Sequence, residues 1–311
     1  MQVNEVYIGV DVSKESLEVS SFDQGRSTLP NTPRGIRSLL SRVQKLELVP
    51  LICCEATGGY EKRLVSLCHE LNVPVAVVNA RQVRDYAKSK GILAKTDAID
   101  AAVLAGYAQQ NHPRLTQKPE PWRLRLKALH QRRESLKEMI LQEGNRLEHP
   151  EDAFTVAQTR KHIRFLKRQI TDVDAEILKL VQEEEEATSF CERFMSVNGV
   201  GIIVASSFVA FLPEMGRVTD NELVALVGLA PHCQESGNWK GQRHISGGRS
   251  PIRKILYMPA LNATSTNPIL KDFYDRLVTK GKPKKVAITA VMRKMVCLAN
   301  RIASDPEFMP A

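Results

Sequence analysis

The chain has 311 residues and no run of 18 or more apolar ones, so no transmembrane helix is expected. Its first residues, MQVNEVYIGV, lack a basic stretch followed by a long apolar one, which argues against a secretory signal. Of six cysteines (Cys53, Cys54, Cys68, Cys191, Cys233 and Cys297) no two form a C-x-x-C pair. Zinc ribbons and thioredoxin-type chemistry therefore find no support, and buried cytosolic thiols are the expected state. There is no internal repeat and no zinc finger or similar module that would read bases directly.

What is present is charge, unevenly placed. The net charge is +9, yet residues 231–301 carry fourteen Lys or Arg against Glu235, Asp272 and Asp275, a balance of +11 that leaves −2 for the rest. A basic C-terminal segment beside a near-neutral remainder points to a polyanionic partner, nucleic acid foremost.

Three segments follow from the patterning. Residues 1–118 alternate strands and helices: VYIGVDV, VPLICCEA and VPVAVVNA are apolar strands. RGIRSLLSRVQKL, EKRLVSLCHELN and TDAIDAAVLAGYAQQ have helical spacing. Short strands after VYIGVDV complete an antiparallel meander, which with the alternating units predicts an α/β layer fold. Residues 119–187 hold two long, charged, periodic stretches separated by HPED, expected to form an antiparallel coiled-coil-like helical hairpin with Glu183–Glu186 at its solvated end. Residues 188–311 are expected to be mostly helical, with a loop over 230–250. There the turn Asn198-Gly199-Val200-Gly201 is similar to that of a helix-hairpin-helix, whose amides face a phosphate, although such turns also occur for geometry alone.

Asp11 lies in an apolar strand, where an unpaired charge is expensive. Glu55 ends the next buried strand, and Asp97 and Asp100 share one face at the start of a helix. Taken singly, each has an ordinary role as a cap, a dipole partner or a turn residue. Together, in this order, they can converge at one sheet edge and bind Mg²⁺ (or Mn²⁺), which takes carboxylates, waters and substrate phosphates.

The order strand-Asp, strand-Glu, helix D-x-x-D resembles the RNase H-like fold of RuvC-type nucleases. More closely, YIGVDVSKESLEV, CCEATGGYEKRL, AKTDAIDAAVLA, SVNGVG, ALVGLAP, ESGNWKGQRHISGGRSPIRKILYMPA and GKPKKVAITAVMRK resemble the DEDD insertion-sequence transposases, which include bridge-RNA-guided recombinases and Piv-type DNA invertases. The resemblance runs over residues 5–301. It implies a RuvC-like metal-binding domain carrying Asp11, Glu55, Asp97 and Asp100, and a C-terminal transposase domain whose serine nucleophile falls on Ser236. That serine would attack a DNA phosphate and hold one strand covalently. It also implies donor and target DNA as substrates, a structured guide RNA, a homo-oligomer (dimer or tetramer) bridged by the helical hairpin, and a cytoplasmic, nucleoid-associated location.

The residues alone do not single out Ser236, since Ser246 and Ser250 share the Gly-rich basic loop. Lys240, Arg243, Arg249, Arg253 and Lys254 are expected to clamp the DNA backbone, with Gly199 and Gly201 offering amides to it; Trp239 would stack a base or anchor the loop. His232 and His244 are left without a role. Three other readings compete: a Mg²⁺ nuclease that uses water, an actin-like ATPase suggested by the GVDVSKESLEV hairpin, and a non-catalytic nucleic-acid binder. The second lacks any further Gly-rich phosphate loop after a strand.

Overall fold

The computed structural model describes residues 5–21, 25–46, 48–94, 96–149, 152–232, 235–236, 239–240 and 244–310. It divides into two compact units, Met1–Lys118 and Pro119–Ala311.

The first unit is built on one sheet. Strands β1 (Glu5–Val12), β2 (Ser16–Ser21) and β3 (Gly25–Pro30) form an antiparallel meander. Helix α1 (Pro33–Val43) follows; Thr32 caps it by accepting from the Gly35 amide at 3.2 Å, and Ile36, Leu39, Leu40 and Val43 form its buried stripe. Then come β4 (Val49–Glu55), α2 (Lys62–Glu70), β5 (Val75–Val78), α3 (Ala80–Ser89) and α4 (Asp97–Asn111). The sheet order is β3-β2-β1-β4-β5, with β4 parallel to both β1 and β5.

Strand alternation sorts the side chains. Ile8, Val10, Val12, Ile52 and Cys54 face a core shared with α1 and α2. Tyr7, Cys53 and Val78 face the other core, with Val83, Ala87, Val103, Leu104 and Ala108 of α3 and α4. With both faces covered, the central strands read as continuous apolar runs. Helix α3 was not anticipated, because only Val83 and Ala87 of ARQVRDYAKS are buried and its apolar stripe is short.

The second unit is helical. Helices α5 (Pro121–Arg146) and α6 (Ala153–Glu183) pack along each other, and the Arg125–Glu176 (2.8 Å), Arg133–Asp174 (2.6 Å) and His162–Glu143 (3.1 Å) contacts show that they run antiparallel. The hairpin is grouped with the C-terminal helices rather than standing as a unit of its own. The chain turns extended at Glu184, and α7 (Glu185–Met195) crosses the 187/188 boundary expected from sequence. Helices α8 (Ile202–Phe211) and α9 (Asp220–Val227) follow.

The stretch expected to be a plain loop holds short strands: β6 (Pro231–His232) pairs with β9 (His244–Ile245), and β7 (Glu235–Ser236) with β8 (Trp239–Lys240). Helices α10 (Ser250–Thr266), α11 (Pro268–Thr279) and α12 (Lys284–Ser304) complete the chain. One continuous core runs from Leu126 and Ile177 through Phe194, Phe208 and Val227 to Met295 and Ile302. No helix among the described residues is long and apolar enough to cross a membrane.

Gly9 explains how α4 lies so near β1. A Cβ there would sit 1.9 Å from the Ala101 carbonyl oxygen and 2.5 Å from the Ala105 nitrogen, both helix backbone that cannot yield locally. Gly9→Ala is expected to lift α4 off the sheet and destabilise the first unit by about 1–3 kcal/mol, measured by denaturant unfolding followed by circular dichroism.

Candidate metal centre and Ser236 ribbon

Asp11 and Glu55 are placed by strand register. Val10 is paired with Cys54 in the parallel β1–β4 ladder, and each acid is the next residue along its strand. Alternation puts both on the face of Gly9 and Cys53, under α4. Helix α4 begins at Asp97, after Thr96, whose hydroxyl accepts from the Ile99 amide at 3.3 Å. Asp97 and Asp100 therefore occupy its first turn, where the helix dipole favours anions. The close crossing at Gly9 brings this turn to the carboxylate end of β1.

The electrostatics record the convergence. Burial pushes the Asp11 carboxyl up from 3.8 to about 6, and the charges of Glu55, Asp100 and Asp97 push in the same direction, against a backbone hydrogen bond at Val12. Four acids from three elements thus share one field. Among the described residues, no three His, Cys, Asp or Glu side chains close into a ready-made metal cage. The donor set nonetheless fits a hard divalent cation: all four are carboxylates, and Asp11 is held in a setting that disfavours its own charge.

Two residues with no distinguishing sequence signal hold the ends of these strands. Asn31 is buried, and its side-chain amide donates to the Ser13 carbonyl at 2.7 Å and, more weakly, to the Tyr60 carbonyl at 3.5 Å. Its own carbonyl accepts from Arg63. Asn31 so ties the turn after Asp11 to the loop after Glu55. Within that loop, one Glu61 carboxylate oxygen accepts from the Thr57 amide (3.1 Å) and the Gly59 amide (2.9 Å). Gly58 and Gly59 have φ of +68° and +111°, which is why two glycines stand there. The signal for Asn31 was a lone Asn after a strand, indistinguishable from an ordinary turn residue.

In the second unit, Ser236 is paired with Trp239 in the β7–β8 hairpin, the last described pair before the tip. The side chains of Ser236, Trp239, Lys240 and His232, and the whole of Arg243, lie outside the described residues. What can be followed is the base of this ribbon. The αL turn at Gly228, which ends α9, presses against Gly247 and Gly248: a Cβ on Gly228 would lie 2.3 Å from the Gly247 oxygen, and one on Gly248 would lie 2.3 Å from the Gly228 nitrogen.

Two expected DNA clamps are used here within the fold. Arg253 donates to the Val227 carbonyl at 2.7 Å and also to that of Gly247. Arg249 donates to the Phe211 carbonyl (2.7 Å) and makes a two-pronged pair with Glu214 (2.6 Å each). Burial acts to raise the Glu214 carboxyl, but Arg249 outweighs it and holds the group below its ordinary value. Both guanidiniums brace the ribbon from within the fold. Lys254 is exposed, 3.6 Å from Glu138. Gly199, with φ +94°, would place a Cβ 3.2 Å from the Pro259 oxygen of α10, so close helix packing accounts for it; Gly201 is the N-cap residue of α8.

Two family models match the chain: one described as Transposase, of the IS110 DEDD type, over residues 8–150, and one described as Transposase IS116/IS110/IS902 family, over residues 191–275. The chain belongs to this transposase family. The transposase is 28% identical over 308 residues to pilin gene-inverting proteins of Moraxella lacunata and Moraxella bovis, covering 96% of this chain and 95% of each relative. It is also 29% identical over 147 residues to an uncharacterized 42 kDa protein of insertion element IS900 from Mycobacterium paratuberculosis, covering 46% of this chain and 35% of that one. The first family match covers the carboxylate-bearing unit and runs on through α5 of the second unit, and the second match lies within the unit that carries the ribbon and its brace.

The raised Asp11 carboxyl has a measurable consequence in chelator-treated transposase. Its folded-state value, about 6, lies above the ordinary 3.8, so the folded chain binds more protons than the unfolded chain between those values. The Asp11 contribution to stability therefore falls as pH rises through that window. Asp11→Asn should match wild type in Tm near pH 4 and exceed it increasingly up to pH 7, as read by scanning calorimetry.

Proposed function

We propose that this transposase cuts and rejoins DNA through a covalent protein–DNA intermediate, with Asp11, Glu55, Asp97 and Asp100 as the Mg²⁺ ligands of an RNase H-like (RuvC-like) domain and Ser236 as the nucleophile. The observation that carries the reading is the placement of the acids: Asp11 and Glu55 each follow the paired residues Val10 and Cys54 on one sheet face, and Asp97 and Asp100 lie in the first turn of the helix that crosses β1 at Gly9; burial, together with these neighbouring charges, disfavours the Asp11 charge, which a divalent cation would relieve. Mg²⁺, when bound, would neutralise charge on a DNA phosphate and on the atoms exchanging there. The Ser236 hydroxyl would lose its proton to a base and bond to phosphorus; the bond from phosphorus to one deoxyribose oxygen would break, and that oxygen would take up a proton. Attack by the hydroxyl of another strand reverses the step and frees the serine. The family membership and the gene-inverting relatives support DNA as substrate. A homo-oligomer, and a guide RNA that would select sites by base pairing, complete the proposal; the absence of a base-reading module in the sequence accords with guidance.

The test is to denature cells that carry the complete native element and measure DNA covalently bound to the protein. Wild type should yield attached DNA, and Ser236→Ala and Asp11→Ala should each reduce it at least about a hundredfold, the scale on which loss of a nucleophile or of transition-state stabilisation acts. Broken DNA without attachment, equal in wild type and Ser236→Ala, would favour the water-using nuclease.

A further inference from the structure

The motif GKPKK, residues 281–285, has no part in the chemistry above, yet it forms the turn between α11 and α12. The turn is firmly built. Gly281, at φ +79°, ends α11: its amide donates to the Val278 carbonyl at 2.9 Å, and the Lys282 amide reaches back to the Leu277 carbonyl at 3.1 Å, the paired bonds of a Schellman cap. Pro283 then opens α12, and its carbonyl accepts from the Ala287 amide at 3.0 Å.

On this fixed frame stand Lys280, Lys282, Lys284 and Lys285, all exposed, and none makes an ion pair with a described residue. The placement of two of them opposes stability. Lys284 and Lys285 occupy the first turn of α12, at the positive end of its dipole, with no acidic residue in that turn and no side-chain cap. Other cations of the same unit have a use within the fold: Arg276 pairs with Asp272, Arg249 with Glu214, and Lys294 lies 4.2 Å from the centre of the Phe273 ring. Four unpaired lysines on a rigid turn, two of them against a helix dipole, are an arrangement that an external polyanion would stabilise.

We infer that the α11–α12 turn is a docking site for the phosphate backbone of duplex DNA. Residues 278–286 contain no aromatic side chain on which an unpaired base could stack, so the site suits a paired backbone. Lysines act there as point charges without base preference, so the turn would add grip and orientation but no sequence choice. That the duplex is DNA rests on the function proposed above.

The experiment compares full-length wild type with the variant K280Q/K282Q/K284Q/K285Q, in which Gln keeps the helical turn. Fluorescence anisotropy with a labelled DNA duplex is recorded over a salt series, beside RNA duplex and single-stranded DNA of equal length. A control variant, R34Q/R37Q/R42Q/K45Q, removes four exposed charges at α1 and its C-terminal end. The lysine variant should keep its Tm or raise it slightly, since the turn is held by backbone bonds and two of the removed charges oppose the α12 dipole. Its salt slope on duplex DNA should fall by about 3–4, at about 0.9 for each phosphate no longer neutralised, with affinity at least about tenfold weaker at roughly 100 mM salt. The control should change the slope by less than about one. An unchanged slope in the lysine variant, an equal loss in the control, or a loss confined to RNA would overturn the inference. Covalent attachment by wild type, measured separately, keeps the two proposals apart: lysine dependence without any attachment would reject the Ser236 reading and leave this site standing, and attachment with no lysine dependence would do the reverse.

Discussion

Everything argued for the carboxylate centre depends on one steric contact, the backbone of α4 lying over a glycine of β1. Where a Cβ on Gly9 would stand, the Ala101 oxygen is 1.9 Å away. That approach carries the first turn of α4, with Asp97 and Asp100, to the strand end that bears Asp11. Strand register then places Glu55 beside Asp11 on the same face. The result is an electrostatic liability within an otherwise apolar frame. Asp11, Glu55 and Asp100 are half-buried and Asp97 is exposed, and like charges so gathered oppose one another at the expense of stability.

The second unit solves a different problem by similar means. A short ribbon bearing Ser236 needs a rigid base, and interlocked glycine turns at Gly228 and Gly247–Gly248 supply it. Arg249 and Arg253 lock those turns to α8 and α9 through carbonyls and Glu214. The basic character of this motif therefore has two components that the sequence alone does not separate: guanidiniums spent on internal bracing, and lysines such as those of the α11–α12 turn that remain exposed.

Much of the first unit was legible because its strands are buried on both faces and its main helices carry long apolar stripes, as at Ile36, Leu39, Leu40 and Val43. The acids stood out because carboxylates at the ends of apolar strands lack an ordinary explanation in that order. Helix α3 was missed because two buried residues make no periodicity. The short strand pairs from β6 to β9 were missed because two-residue strands carry no alternation to read. The bracing role of Arg249 was not legible because nothing local in sequence marks Glu214, 35 residues away, as its partner. Asn31 and Glu61 were invisible for a related reason: their bonds to the backbone of the two strand ends exist only after the chain has folded.

The central claim is that the shared field at Asp11 awaits a divalent cation, and Mn²⁺ reports on that directly. Paramagnetic resonance of free Mn²⁺, titrated against the full-length transposase at pH 7 without DNA, counts the bound ion. The account predicts saturable binding that Mg²⁺ displaces and that is lost in both Asp11→Asn and Glu55→Gln, while each variant keeps its cooperative unfolding. Binding of equal affinity in wild type and both variants, or none in wild type, would contradict it.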